Sequence, residues 1–99
     1  MVRAKFKVSK IERTMGSKVA TDETGAPLRN ANGGNVYEPA EMNTIYLCPV
    51  YGNSDPNHEN SKFWAASPNG EIRLGTVNAA AVAQFALDQE FYVDFTPAK

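Results

Sequence analysis

From Thr14 to Met42 the chain carries Gly16, Gly25, Pro27, the run Asn30-Ala31-Asn32-Gly33-Gly34-Asn35 and Pro39, residue types that suit turns better than the interiors of helices or strands. The segment is expected to be a long loop over about 14–42. A structureless stretch of that length is uncommon in a compact domain. It is therefore either mobile, paired as a partial hairpin around Asn32-Gly33-Gly34, or ordered by a ligand or partner subunit. What remains of a 99-residue chain must supply the core, which allows a single domain, 1–99.

The flanks of this stretch read mainly as strands. Val2, Ala4, Phe6 and Val8 alternate with Arg3, Lys5, Lys7 and Ser9, the period-two pattern of a strand with one buried and one basic face. After Ile11 the phase changes. Thr44-Ile45-Tyr46-Leu47-Cys48-Pro49-Val50-Tyr51 is apolar on both faces, as in a covered strand, and Pro49 marks its edge, bulge or end. Asn60 to Ala66 fits a helical turn or a strand equally well. Ser67-Pro68-Asn69-Gly70 has the chemistry of a tight turn opening a hairpin into Glu71–Val77, where Ile72 and Leu74 share a face. Asn78 caps an expected helix over Ala79–Leu87, and Phe91, Val93 and Phe95 line one face of a last strand that Thr96-Pro97 stops. The fold class is α+β and β-rich: a small, mostly antiparallel sheet with one short helix packed on it, in the order strand, loop, strand, strand, helix, strand.

Composition removes several functions. Ten Lys+Arg against eleven Asp+Glu leave a net charge of −1, so no chain-wide basic field is available to grip duplex DNA or an anionic membrane. A hydrophobic share of 42% argues against disorder over the whole chain. The longest apolar run falls far short of the roughly 20 residues a membrane helix needs, and no signal peptide is evident. Cys48 is the single cysteine and His58 the single histidine, so neither an intramolecular disulfide nor a Cys/His zinc site is expected. Nothing around His58 resembles a nucleophile elbow. An intracellular protein without metal or other cofactor, and without enzymatic activity, is expected.

Chemistry concentrates between Tyr51 and Arg73, where aromatics, amides, hydroxyls and two cations mix. An aromatic face beside a positive charge is the minimum for holding an unpaired base and its phosphate. Phe63 and Trp64 are equally readable as core. The Arg3, Lys5 and Lys7 stripe is either a phosphate contact or a solvated sheet face, and Arg73 either forks onto a phosphate or pairs with a cross-strand carboxylate. Asp55, Asn57 and Glu59 carry oxygens at alternate positions like part of a calcium loop, but Pro56 interrupts them and a plain turn is favoured. Cys48 reads as a small buried hydrophobe.

Three segments together resemble a widespread family of small phage proteins: Val2 to Val8, Asn60 to Gly75 with its Lys62-Phe63-Trp64 and Ser67-Pro68-Asn69-Gly70, and Gln89 to Pro97 with its closing Tyr92-Val93-Asp94-Phe95-Thr96-Pro97. The likeness covers most of the chain outside Gly16 to Glu41. It extends to the anti-CBASS sponge family, phage proteins that assemble as oligomers and sequester cyclic dinucleotide alarm signals without cleaving them. The resemblance implies an immune-evasion protein in the cytoplasm of the infected bacterial host, with a cyclic nucleotide as ligand and a homo-oligomer, expected as a tetramer, as its form. It implies Trp64 and Tyr51 as base-stacking residues, Lys62 and Arg73 as phosphate contacts, and Asn60 and Ser67 as hydrogen-bonders to a base edge or phosphate. On that assignment Trp64→Ala is expected to weaken ligand binding and leave the fold intact. The alternative, from another class, is a small virion or replication accessory protein that binds protein or single-stranded nucleic acid.

Overall fold

A computed structural model describes residues 2–52 and 55–99. Four strands and two short helices follow one another as β1 (Val2–Val19), β2 (Tyr37–Pro49), α1 (Glu59–Trp64), β3 (Ile72–Thr76), α2 (Ala79–Val82) and β4 (Glu90–Phe95). The strands form one antiparallel sheet in the order β3-β2-β1-β4. This is the β-rich α+β architecture expected from the alternating apolar pattern, with the helices on short connections.

The buried face of the sheet explains the pattern residue by residue. Ala4, Phe6 and Val8 of β1 and Ile45 and Leu47 of β2 form the core, with Ile11, Trp64, Ile72, Phe85, Phe91 and Val93 packed against them. Val8 and Ile11 sit three apart and cannot share a face of a regular strand. A bulge between Val8 and Lys10 resolves this: Val8 opposes Leu47, Lys10 opposes Tyr46, and Ser9 is the extra residue. The Ser9 hydroxyl donates to the Tyr46 carbonyl at 3.3 Å, and the Cys48 thiol lies 3.4 Å from that same hydroxyl. Cys48 thus stands on the outer face and is only part-buried, in place of the buried position expected for it.

The segment expected as a loop over 14–42 is mostly a ribbon. Thr14 to Val19 pair in unbroken register with Met42 back to Tyr37, so the partial-hairpin alternative holds and extends much further than the Asn32-Gly33-Gly34 turn alone. The glycine and proline content misled because Gly16 serves packing, with a Cβ there coming within 3.1 Å of the Met42 side chain. The ribbon leaves the body as an arm. It stretches the molecule to 60 × 33 × 20 Å with a radius of gyration of 18.5 Å, against about 13 Å for a compact chain of this size.

The arm ends in two turns of the same construction. Asp22 Oδ1 accepts from the Thr24 and Ala26 amides, and Asn30 Oδ1 accepts from the Asn32 and Gly34 amides. In each turn a glycine in left-handed conformation, Gly25 or Gly33, closes back onto the carbonyl of that Asp or Asn. Ala20, Leu28 and Val36, equally spaced, mark the junction, where the Ala20 amide donates to Val36 and the Leu28 amide to Ala20. Ala20 is the one buried apolar side chain of the tip. Replacing residues 20–36 by an Asn-Gly turn between the paired Val19 and Tyr37 is therefore expected to leave the melting temperature unchanged or slightly higher, since a shorter connection costs less closure entropy. A thermal melt showing a drop of more than about 5 °C would mean that the tip supports the body.

Two further expectations are corrected. The helix foreseen over Ala79–Leu87 stops at Val82; the following bonds, Gln84 to Ala81 and Phe85 to Val82, are those of turns. Alanine propensity alone does not hold so short a helix, and Phe85 must swing in to meet Phe91, their rings 5.0 Å apart. The turn before Glu71 opens no hairpin. The segment ahead of it is α1, and β3 pairs with β2.

Candidate functional site

The site region begins where β2 releases β1. Pro49 ends β2 opposite Phe6, so on that side the next backbone groups of β1 have no strand beside them. The Val50 amide still reaches the Lys5 carbonyl at 3.0 Å. Asn60, from α1, fills the gap with its side chain: Oδ1 accepts from the Lys5 amide at 2.6 Å, and Nδ2 donates to the carbonyls of Lys5 at 2.8 Å and Val50 at 2.7 Å. Asn60 is fully buried. The residue expected to read a base edge instead fastens α1 to the sheet.

His58 caps α1, its Nδ1 accepting from the Asn60 amide at 3.0 Å. That nitrogen is committed to the helix. Asp55 caps the turn before it by accepting from the Asn57 amide at 2.9 Å, the plain-turn reading of the Asp55-Asn57-Glu59 spacing. Glu59 is held below its ordinary value, first by its own backbone amide at the helix start, then by the Tyr92 hydroxyl, His58 and Lys5. Asn53 and Ser54, part of the polar run singled out in the sequence, lie outside the described residues.

Beyond Trp64 the helix ends at Ala65, whose left-handed conformation (φ 55°) lets its amide close onto Ser61. Here a non-glycine residue accepts a strained angle, and the chain turns to deliver Ala66, Ser67 and Pro68 opposite Tyr51. Between them lies an open pocket of about 370 Å³, lined by Tyr51, Gly52, Ser61, Ala65, Ala66, Ser67 and Pro68. Its rim is joined where the Tyr51 and Ser67 hydroxyls stand 3.5 Å apart. Gly52 is buried beneath it, and a Cβ there would fall 2.6 Å from the Ser61 hydroxyl and 3.4 Å from the His58 ring. The absence of a side chain at Gly52 is thus what lets the chain pass α1 and form the pocket floor.

Of the six expected site residues the pocket gathers two, Tyr51 and Ser67. Trp64 turns towards the core: it meets Phe6 edge-on at 6.1 Å and Phe63 at 4.6 Å, and its indole donates to the Asn69 carbonyl at 2.9 Å. Lys62 is exposed in the last turn of α1. Arg73 belongs to the outer face of the sheet, 4.9 Å above the Tyr46 ring and paired with Glu71 at 3.0 Å, which raises its pKa. Ser61 and Gly52 were missed. A serine one turn before the helix end and a glycine beside a tyrosine carry no signal until the turn at Ala65 brings them together.

The basic stripe of β1 also lies on the outer face, and each of its cations has a carboxylate. Arg3 pairs with Asp94 at 2.6 Å, Lys5 with Glu59 and Glu90 at 3.7 Å, and Lys7 with Asp88 at 4.0 Å. The Arg3 hydrogen bond holds the Asp94 carboxyl below its ordinary range. Two tyrosines lie among these charges: Tyr92 beneath Arg3 and Lys5, and Tyr46 beneath Lys10 and Arg73. Among the described residues no three of the His, Cys, Asp or Glu side chains gather as a metal site, and no helix is long and apolar enough to cross a membrane. Compared with family models, curated proteins and solved structures, the chain matches none.

Proposed function

We propose that this chain is a small phage immune-evasion protein that binds a cyclic dinucleotide, or a related cyclic oligonucleotide, and withholds it uncleaved within the infected bacterial host. The observation that carries this reading is the pocket beside α1. It sets the exposed Tyr51 ring against the hydroxyls of Ser61 and Ser67. A tyrosine face holds a base by stacking, and hydroxyls serve a phosphate or a base edge. Lys62, which follows Ser61 in α1, is the cation this reading assigns to a phosphate. The pocket's described lining side chains contribute an aromatic ring and hydroxyls, the chemistry of holding a ligand. At about 370 Å³ the pocket lies near the small end of ligand sites, which span about 300–1,000 Å³, and suits one nucleotide unit of a larger ligand.

The test is thermal stabilisation of the purified protein against cyclic di- and trinucleotides, linear nucleotides and short single-stranded DNA, because a ligand that binds only the folded state raises its stability. A shift with a cyclic nucleotide, followed by its intact recovery after the protein is denatured, supports sequestration. No shift with any of them overturns it. A second reading, a single-strand binder, draws on the outer face with Tyr46 and Tyr92 among Lys and Arg residues. Its ion pairs weigh against it, since each cation would have to leave a carboxylate to meet a phosphate. A shift with single-stranded DNA alone, lost steeply as salt rises, would favour it.

A further inference from the structure

We propose that β4 is the surface through which two copies of this chain associate, edge to edge about a two-fold axis at Val93, making one continuous eight-stranded antiparallel sheet. The proposal does not depend on the ligand. Its first ground is the unfinished state of the apolar face. Phe63, Phe95 and Val2 are 45%, 50% and 45% exposed, and Phe63 stacks on Phe95 with ring centroids 6.4 Å apart, so one aromatic patch lies open at the β4 end of the body. The chain exposes 7093 Å² in all, where a compact monomer of 10.8 kDa exposes about 5,500 Å². The arm accounts for part of that excess. The aromatic patch lies on the body, and an interface of about 800 Å² per copy is what a stable dimer needs.

The second ground is the edge itself. β4 is the last strand of its sheet, and no backbone hydrogen bond from outside the sheet reaches Glu90–Phe95 among the described residues. Exposed edges are usually guarded by lysine, arginine, proline or brevity. β3 carries Arg73; the free side of the β2 arm carries Pro39; the free side of β1 carries Lys10, Arg13 and Lys18. β4 carries no lysine, arginine or proline.

The third ground is register. An axis between two residues would set core-face Phe91 against outer-face Asp94, reversing the faces of the two sheets. An axis through Tyr92 would set Glu90 directly against the second copy's Asp94, a like-charge pair. With the axis at Val93, Phe91 meets Phe95, Tyr92 meets Asp94, Glu90 meets Thr96 and Val93 meets itself. Both faces then match. Pro97 falls opposite Gln89, just beyond the paired residues.

The test is the mass in solution, by sedimentation at tens of micromolar, of the whole chain and three variants. The parent is expected at twice 10.8 kDa. Tyr92→Glu, on the exposed outer face, sets two carboxylates against each other on both sides of the axis and is expected to give a folded monomer by circular dichroism, whereas Tyr92→Thr keeps the dimer. In a Cys48→Ser background, Val93→Cys is expected to oxidise to a covalent dimer in high yield, a result that stands even if Tyr92→Glu fails to fold. A parent that remains monomeric overturns the proposal. So does an oligomer of any size that survives Tyr92→Glu and gives no Val93→Cys crosslink.

Discussion

Asn60→Ala is expected to lower stability by about 3–5 kcal/mol, because it leaves one buried amide and one carbonyl without a partner, each such orphan costing about 1–3 kcal/mol, and takes a second carbonyl from two donors to one. The orphans are the Lys5 amide and the Val50 carbonyl, both satisfied now by one side chain, while the Lys5 carbonyl keeps the Val50 amide as its remaining donor. A domain of this size has about 5–15 kcal/mol in total. The expected reading is a fall in melting temperature of more than about 15 °C, at about 4–8 °C per kcal/mol. Asn60→Asp is the informative companion. It preserves shape and the acceptor for Lys5, yet turns an oxygen towards two carbonyls where a donor stood, so it is expected to fail nearly as badly. If Asn60→Asp were as stable as the parent, the two Nδ2 bonds would be contributing nothing and the clamp would reduce to a single bond.

The same residue shows where the sequence stopped being legible. An asparagine offers a base edge and a stretch of backbone the same donor and acceptor pattern, so Asn60 in a polar run beside aromatics reads equally well as either. Only the three-dimensional ending of β2 at Pro49 decides, by leaving Lys5 without a strand on its β2 side. Where one face was buried, the pattern carried the fold: Ala4, Phe6, Val8, Phe91 and Val93 all point as their alternation requires, whereas β2, expected to be covered on both faces, buries Ile45 and Leu47 and turns Tyr46 and Cys48 to the outer face. Where both faces of a ribbon meet solvent, as in the arm, no alternation is imposed, and Gly16 and Pro39 outweighed the pairing that Thr14–Val19 makes with Tyr37–Met42. In the pocket, Tyr51 and Ser67 were legible as chemistry. Gly52 and Ser61 were not, because their importance comes from a close approach between segments and from the left-handed turn at Ala65.

Trp64 and Tyr51, both assigned to base stacking by resemblance, are expected to separate cleanly when each is replaced by alanine. Trp64→Ala removes the edge contacts with Phe6 and Phe63 and the indole bond to Asn69, and it opens a void beneath α1. Full burial of such a ring is worth about 3–5 kcal/mol; part-burial here lowers the expected loss to about 2–3 kcal/mol, or more than about 10 °C in the melt. Tyr51 is 62% exposed and bonded only across the pocket rim to Ser67, so Tyr51→Ala is expected to change stability by less than about 0.5 kcal/mol. Its effect falls on the ligand, where losing one stacked base costs about 1–3 kcal/mol, roughly a 5- to 150-fold weaker Kd for the cyclic nucleotide that stabilises the parent. Titration calorimetry below the melting range of both variants reads the two quantities apart. A Trp64→Ala protein that melts like the parent but no longer binds would return the stacking role to Trp64 and remove the pocket beside Tyr51 from the mechanism. A Tyr51→Ala protein that binds unchanged would place the ligand elsewhere on the chain, with the outer face around Tyr46 and Tyr92 as the surface to mutate next.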